Sequence, residues 1–265
     1  MLTKYTNLDS KSIHKLASNG LNRIRFKEQL DFGVDLSLEL FHAQGLEIVK
    51  RKGYYHFATK FISIDEAEFC IVDIETNGSK IDKHQIIELA GIKVKNGEII
   101  DRFESLVQCN EINEIITEIT GIRVEDTRDA PKLKTVLASF KKFLGNSIFI
   151  AHDVKFDFKF ISDSFLKIGE EAILNRYLCS LALAERTVES YRYALSYLND
   201  FYNLNPNPQH HRAMSDVLTT YGLFKLSLKN CNENINNVED LIKFSKDAKR
   251  LKRPKFDPLL KEALK

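Results

Sequence analysis

The run FCIVDIETNG, at residues 69–78, constrains the fold more than any other part of the sequence. Its first half is short, apolar and bounded by turn residues, which is typical of a buried β-strand. The strand ends in Asp73 and Glu75, and side chains two residues apart on a strand point to the same face, so these two carboxylates lie side by side. Two such charges repel each other unless they bind a cation, or unless one acid has a raised pKa and shares a proton. Both explanations stay open at this point.

Strands and helices alternate through residues 65–230. Two β-prone runs flank Asn96 and Gly97, which is a strong hairpin signal, so three neighbouring antiparallel strands are predicted. The chain then reads as helix EINEIITEIT, helix PKLKTVLASFKKFLG, strand SIFIAH, helix DVKFDFKFISDSFLKIG, a strand around RYLCSLAL, a helix near YALSYLNDFY and a last helix RAMSDVLTTYGLFKLSLK. Strands in a meander followed by strand–helix repeats predict a mixed sheet flanked by helices, an α/β fold.

Two smaller parts flank this region. Residues 1–64 have helical periodicity followed by two β-prone runs joined by a basic turn at 50–53, a pattern that resembles a small α+β winged-helix module. In residues 231–265, Asn237 caps a helical run that continues into a basic segment containing Lys249, Arg250, Lys252, Arg253 and Lys255. We interpret this basic, helical C-terminal extension as a solvated helix face, with a phosphate-contacting strip as the alternative.

Charge is distributed unevenly along a chain whose net charge is only +2. Lys and Arg outnumber Asp and Glu by 10 to 6 in residues 1–64 and by 9 to 6 in residues 231–265, whereas acids outnumber bases by 25 to 20 in residues 65–230. Basic flanks suit a polyanionic partner and an acidic middle suits metal binding, although solvated charge explains either.

Cellular location is predicted from cysteine usage and hydropathy. The four cysteines are far apart and form no C-x-x-C pair, which favours buried thiols in a reduced protein. The N-terminus has no continuous apolar segment like that of a secretion signal, and no run approaches ~18 apolar residues. We therefore expect a cytoplasmic protein with no membrane partner.

Four acids and a histidine lie where predicted elements end at one edge of the sheet. Asp73 and Glu75 close the first strand, and Asp157 lies in the first turns of the helix that follows SIFIAH. Asp216 lies early in the last long helix, five residues after His211. Taken singly, each of these is more simply a solvated acid or a capping residue. Together they occupy the strand ends at which α/β proteins collect ligands.

Three segments, VDIETNG, AHDVKFDFKF and HRAMSD, resemble the three motifs of the DEDDh exonuclease family. These nucleases have an RNase H-like fold, and they include the proofreading epsilon subunit of bacterial DNA polymerase III. The similarity covers about residues 67–226 and extends to HQIIELAGIKV, ITGIRVEDTRDAP, LCSLALAER and YALSYLNDFYNL. A lone D-x-E is a weak signal, but three motifs in order with these intermediates are highly specific.

The resemblance implies metal-dependent hydrolysis at the 3′ end of a polynucleotide. Two Mg²⁺ or Mn²⁺ ions would be held by carboxylates, because such ions prefer hard oxygen ligands. The implied ligands are Asp73, Glu75, Asp157 and Asp216, with Asp73 bridging the two ions.

Other site residues follow from the same resemblance. His211 would be the general base, a role suited to a group whose unperturbed pKa is near ~6.5, and only the family's five-residue spacing selects it over its neighbour His210. Thr76 would help to hold the terminal nucleotide, and His152 is close enough to contact a phosphate. Phe156 and Phe160 are mainly core residues, although one such aromatic could stack on a terminal base.

One residue departs from the family pattern. Asp153 stands where the family often has Asn, and an extra acid there could weaken substrate binding or change metal occupancy. We expect a 3′→5′ exonuclease that acts on single-stranded or frayed DNA in replication proofreading or repair, with a replicative polymerase subunit as a partner to which the basic tail could dock. The alternatives are an RNA-directed exoribonuclease of the same fold and a weakly active nuclease-fold binding subunit, which Asp153 favours.

Overall fold

A computed structural model describes residues 2–208, 211–231 and 234–259. In chain order its strands are β1 (Leu21–Asn22), β2 (Ile48–Arg51), β3 (Tyr54–Phe57), β4 (Phe69–Thr76), β5 (Ile86–Lys95), β6 (Glu98–Leu106), β7 (Ile148–Ala151) and β8 (Tyr177–Cys179). Its helices are α1 (Leu2–Tyr5), α2 (Ser10–Ala17), α3 (Arg23–Lys27), α4 (Val34–Ala43), α5 (Glu114–Thr120), α6 (Val124–Thr127), α7 (Leu133–Leu144), α8 (Val154–Lys167), α9 (Ser180–Thr187), α10 (Leu195–Tyr202), α11 (Ala213–Lys229) and α12 (Val238–Asp247), with a 3₁₀ turn at Ala58–Phe61.

A five-stranded sheet in the order β6-β5-β4-β7-β8 organises the larger part of the chain. The strands β4, β5 and β6 are antiparallel, whereas β4, β7 and β8 are parallel. The turn between β5 and β6 has positive φ at both Asn96 (50°) and Gly97 (75°), the conformation of a tight two-residue hairpin. The predicted mixed sheet and its hairpin are therefore confirmed.

Helices cover both faces of this sheet. On one face α7 and α8 pack Phe140, Phe158 and Phe165 against the strands. On the other face α11 and α12 contribute Phe224 and Leu241 to a second core. Because both faces are buried, the central strand β4 is apolar on both sides until it reaches its carboxyl end.

The N-terminal part is a small module with its own core. Its strands pair antiparallel in the order β1-β3-β2, and Phe26 of α3 stacks on Tyr55 with ring centroids 4.3 Å apart. The order helix, strand, two helices and hairpin agrees with the pattern behind the winged-helix interpretation, which stays a prediction.

This module contacts the sheet at the amino ends of the parallel strands. The Leu174 amide, just before β8, donates to the Gln44 carbonyl at 2.7 Å, and the Leu174 side chain lies in the module's core. Asn146, just before β7, bonds His42 at 2.8 Å. The carboxyl ends, where ligands collect, are at the opposite edge.

Two predicted elements differ from the structure. The strand expected around RYLCSLAL ends at Cys179, and the remaining residues form α9, because Leu, Ala, Glu and Arg favour helices and the Cys179 sulfur accepts from the Ala182 amide at the helix start. The basic C-terminal run is not a helix face, since α12 ends at Asp247. Instead, Arg250 and Arg253 ion-pair with Glu185 of α9 at 3.0 and 3.5 Å.

In the part of the chain that the structure describes, no helix is both long and apolar enough to cross a membrane. All four cysteines are free, and Cys70 and Cys109 are buried, as expected for reduced thiols.

Candidate active site

The carboxyl end of β4 presents Asp73 and Glu75 at the sheet edge. In the pairing of β4 with β5, Asp73 lies opposite Ala90 and Glu75 lies opposite Glu88, and the register shifts between Glu75 and Thr76. Such an irregularity bends and twists a strand, and it is common beside active sites. The half-buried side chains of Asp73 and Glu75 therefore share one face at the point where regular pairing ends.

The third acid, Asp157, comes from the first turn of α8 and is 4% exposed. The chain turns from β7 into α8 through Asp153, which caps the helix with φ of 63° and ψ of 58°, a left-handed conformation. Asp and Asn tolerate this conformation better than most residues, so Asp153 can replace the family's Asn without altering the turn.

The fourth acid, Asp216, lies in the first turn of α11, and His211 lies just before that helix. Ligand atoms of Glu75, His211 and Asp216 all lie within 4.8 Å of one another. His211 is exposed and has φ of 59°, a conformation uncommon for residues other than glycine, so the backbone is held in a specific turn beside the acids. His210 lies outside the described residues.

Burial and mutual repulsion act together on these acids. The pKa of Asp73 is raised well above its usual range, first by burial and then by the charges of Asp157 and Asp216. Burial and the Asp216 charge raise the pKa of Glu75 to about 8. Burial raises the pKa of Asp157 to about 7, with Asp153 adding to the effect and backbone hydrogen bonds opposing it. Binding of protons or cations would therefore relieve the electrostatic repulsion among these acids.

Glu88 is a site residue that the sequence analysis missed. Although it is only 1% exposed, it accepts hydrogen bonds from the Arg212 guanidinium at 2.7 Å and from the Ala213 amide at 2.9 Å. It thereby fixes the start of α11, which positions His211 and Asp216. The run IIELAG offered one signal, an acid within a strand otherwise buried on both faces.

Two residues predicted to bind substrate lie at the rim of this cluster. Thr76 is the half-buried last residue of β4. His152 is half-buried, and its two ring nitrogens lie 3.1 Å from the Ser180 hydroxyl and 2.8 Å from the Tyr193 carbonyl oxygen. Burial lowers the pKa of His152, and both of its nitrogens have protein partners, which favours a role in holding the loop that contains Tyr193.

A groove of about 290 Å³ lies between α8 and the loop after β4. It is lined by Phe156, Phe160 and Lys159 of α8 and by the loop around Lys80. Phe160 is buried as expected, but Phe156 is 41% exposed, so an aromatic surface and two lysines line this groove beside the helix that carries Asp157. A cleft of about 480 Å³ lies between α2 and α12, away from the acids.

Comparisons with known proteins show which proteins this chain resembles. The RNase_T exonuclease family model matches residues 70–224. DNA polymerase III PolC-type of Staphylococcus haemolyticus is 34% identical over 196 residues, and that of S. epidermidis is 33% identical over 203 residues. These matches cover 72% and 75% of this chain but only 14% of each relative, so the chain spans about one seventh of their length.

Solved exonucleases share the fold. A structure of exonuclease X with 5′-overhanging duplex DNA has a TM-score of 0.53 at 23% identity, covering 66% of this chain and 99% of that one. Escherichia coli exonuclease I with a dT13 oligonucleotide has a TM-score of 0.56 at 16% identity, covering 62% of this chain and 42% of that one. The mixed sheet, the order of the motifs and the matched family model lead to one conclusion: the chain belongs to the RNase_T family of exonucleases, the DEDD-type 3′–5′ exonucleases of RNase H-like fold.

Proposed function

We propose that this protein removes nucleotides one at a time from the 3′ end of single-stranded or frayed DNA. The observation that carries the proposal is the clustering of Glu75, His211 and Asp216, whose ligand atoms lie within 4.8 Å, together with the half-buried Asp73 and the buried Asp157. Four carboxylates and a histidine at a strand-end edge match the residues that the motifs select.

The residues fit a pair of Mg²⁺ or Mn²⁺ ions. The donors are carboxylate oxygens, the ligand type that these ions prefer, and their raised pKa values indicate a local excess of negative charge that cations would relieve. Asp73, Glu75, Asp157 and Asp216 would hold them. Bound ions of this kind stabilise the attacking and leaving oxygens of an in-line phosphoryl displacement.

The protein's own groups supply the remaining steps. His211 is exposed and adjacent to Glu75 and Asp216, so its imidazole can accept a proton from the attacking water. Thr76 borders the position of the terminal nucleotide, and Phe156 offers a face on which a base can stack. Lys80 and Lys159 line the groove in which the strand's phosphates would lie.

The test is release of mononucleotides from a single-stranded DNA labelled at its 5′ end, with Mg²⁺, Mn²⁺ or EDTA. Asp73→Asn and Asp216→Asn should each abolish the shortening ladder, whereas Asp200→Asn, a change at an exposed acid of α10, should leave it intact. Unchanged cleavage in either of the first two variants would refute the assignment.

His211→Gln should lower turnover while metal binding, measured by calorimetry, stays near the wild-type value. His14→Gln on the exposed face of α2 is the matched control. Wild-type turnover in His211→Gln would transfer the base role to His210.

The substrate is tested with matched DNA and RNA oligonucleotides, because the site must accept or reject the 2′-hydroxyl. Faster cleavage of RNA would replace the DNA assignment with the exoribonuclease alternative. Metal binding without cleavage of either oligonucleotide would support a binding subunit. Asp153→Asn would then test whether the extra acid near Asp157 prevents cleavage.

A role in proofreading or repair, alongside a replicative polymerase, extends the proposal. Its support is the similarity to PolC-type polymerases over about three quarters of this chain. Co-elution with the purified replicative polymerase at micromolar concentration tests it, and separate elution of the two proteins would argue against a stable partnership.

A further inference from the structure

The hairpin of β2 and β3 carries a concentration of unpaired positive charge. Its turn contributes Lys50, Arg51 and Lys52, all exposed. Asn22 and Arg51 both lie opposite Tyr54 in the three-stranded sheet, so Arg23, the next residue along the chain, begins α3 about two strand spacings, or ~10 Å, from the turn. We call these three turn residues, together with Arg23 and Arg25 of α3, the wing patch.

No carboxylate within the described residues forms an ion pair with the wing patch, although many other cations of the chain are paired. Arg23 begins α3, whose first turn contains no acid, and cations are disfavoured at that end of a helix, whereas Arg25 lies in the last turn. The five charges also repel one another. Within the described residues, only the ring contacts of Arg51 with Phe61 and of Lys50 with Tyr55 offset this repulsion, which favours an external anion.

The backbone of the turn supports the same conclusion. Lys52 and Gly53 have φ of 48° and 84°, the tight turn that the chain also forms at Asn96 and Gly97. Asn is the residue best suited to the first of these positions, whereas a lysine there costs free energy. The chain therefore accepts local strain to place a cation at the tip of this hairpin.

Exposed aromatic rings lie beside these charges. Tyr54 is 47% exposed and Phe61 is 40% exposed, and the Arg51 guanidinium lies 4.3 Å from the Phe61 ring centroid. An arginine stacked on a ring keeps its N–H groups free for phosphate oxygens, and an exposed tyrosine can stack on a base. Such faces suit an unpaired strand, because bases within a duplex are already stacked.

We propose that the wing patch binds single-stranded DNA, as a second contact separate from the catalytic acids. The patch belongs to the module at the amino ends of the parallel strands, whereas the acids lie at the carboxyl ends. A single-stranded DNA can contact both the wing patch and the acids only if it spans at least the length of β4. This length is roughly 26 Å, at 3.3 Å per residue for eight residues. The proposal deepens the proposed function by naming where the rest of the substrate strand is held.

The test compares the full-length protein with the triple variant Lys50→Gln, Arg51→Gln, Lys52→Gln. Binding of a labelled 30-nucleotide single strand and a 30-base-pair duplex is measured in EDTA between 50 and 200 mM salt. For the single strand, the triple variant should bind on the order of tenfold more weakly, and its salt slope should be shallower by about 2 because three phosphate contacts are lost. A trinucleotide, which is too short to reach both sites, should not distinguish the two proteins.

A matched control removes the same charge elsewhere, with Lys132→Gln, Lys134→Gln and Lys142→Gln at exposed positions in and beside α7. Equal weakening in both triple variants would attribute the effect to net charge and overturn the proposal. An effect on the duplex alone would overturn the single-strand assignment. Tyr54→Ala should weaken single-strand binding about fivefold or more with an unchanged salt slope, as expected for a stacking contact.

Hydrolysis of a small ester, thymidine 5′-(4-nitrophenyl) phosphate, separates this inference from the proposed function. Both triple variants should hydrolyse it at the wild-type rate, because it occupies only the catalytic site. If the wild-type protein does not hydrolyse the ester, but the wing variant binds DNA more weakly than the wild type, the proposed function is wrong and the wing patch is supported. If the wild-type protein hydrolyses the ester and the wing variant binds DNA as tightly as the wild type, the proposed function is supported and the wing patch is wrong.

Discussion

At the scale of single residues, Glu88 of β5 holds the start of α11 through the Arg212 guanidinium and the Ala213 amide. The proposed ligands and base stay predictions, made from strand periodicity and from the resemblance of three sequence motifs to a known family: Asp73, Glu75, Asp157, Asp216 and His211. Glu88 lies 124 residues from its partner Arg212, and a contact that distant leaves no local pattern. The left-handed turn at Asp153 likewise becomes evident only from its φ angle.

Glu88→Gln should lower turnover by roughly 10- to 100-fold, the range seen when residues that orient a metal site are changed. The glutamine still accepts from the Ala213 amide but loses the ion pair that fixes Arg212. The fall should appear in kcat with little change in KM. Because the two side chains act together, Arg212→Gln should have the same effect and the double variant no further one.

Glu98→Gln, at an exposed position where β6 begins, is the control for the loss of one charge. Normal kcat in Glu88→Gln, or additive losses in the double variant, would contradict the role assigned to Glu88.

The metal-free protein should lose stability as pH rises from about 4 to about 8. Asp157 and Glu75 have folded-state pKa values of about 7 and about 8, above their unfolded values near 4, so the folded state holds more protons across this window. Asp157→Asn removes one such group, so its melting temperature in EDTA should fall less between pH 5 and pH 8 than that of the wild type.

Between pH 5 and pH 8, the melting temperature of the wild type should fall by at least about 3 °C more than that of Asp157→Asn. A tenfold change in a dissociation constant corresponds to about 1.4 kcal/mol, and each kcal/mol corresponds to about 2–4 °C for a chain of this size. Asp200→Asn should follow the wild-type profile. Identical profiles for Asp157→Asn and the wild type would show that Asp157 is not under electrostatic strain.

At the scale of elements, long periodic segments were predicted and short ones were not. Asn96 with Gly97 predicted the β5–β6 hairpin because few other residues adopt its turn. The segment after Cys179 gave no clear period, and helix α9 depends on packing against α11 and α12 that sequence does not reveal. The same limit applies to the C-terminal basic run, whose geometry is set by Glu185.

Gly222 of α11 should not tolerate a side chain. A Cβ there would lie 2.6 Å from the Leu204 carbonyl oxygen, although alanine normally stabilises an exposed helix interior by about 1 kcal/mol. We expect Gly222→Ala to cost about 1–3 kcal/mol, as overpacking usually does, and to lower the melting temperature by several degrees. Gly33→Ala is the control, because nothing lies within 4 Å of a Cβ at that position. Equal melting temperatures for the two variants would refute the close approach of α11 to the backbone at Leu204.

At the scale of the whole molecule, one buried cluster connects all three parts of the chain. Arg176, just before β8, makes a bidentate pair with Glu239 of α12 at 2.7 and 2.6 Å. The Thr59 hydroxyl donates to the same carboxylate at 2.6 Å, and the Arg176 guanidinium lies 4.3 Å from the Phe57 ring centroid. The division of the chain into three parts stays a prediction, and the sequence did not predict this connection because it pairs residues far apart in the chain.

Glu239→Ala should destabilise the protein by about 3–5 kcal/mol, because it leaves the Arg176 charge buried without its partner. Denaturant unfolding followed by circular dichroism measures the loss. Asp247→Ala, which removes the acid of the exposed pair with Lys243, should change stability by less than about 1 kcal/mol. A loss in Glu239→Ala no larger than in this control would mean that the cluster does not join the three parts energetically.

The buried ion pair of Arg176 with Glu239 also shows that the folded structure extends beyond the region that the family model matches. The family model matches residues 70–224, and a fragment cut at those limits would retain Arg176 but lose Glu239 and the α12 side chains that cover one face of the sheet. We therefore expect the region that the family model matches to be unstable on its own in this chain. The strands that carry the candidate site are covered on that face by α12, so transplanting the matched region alone into another protein would require a new cover for that face.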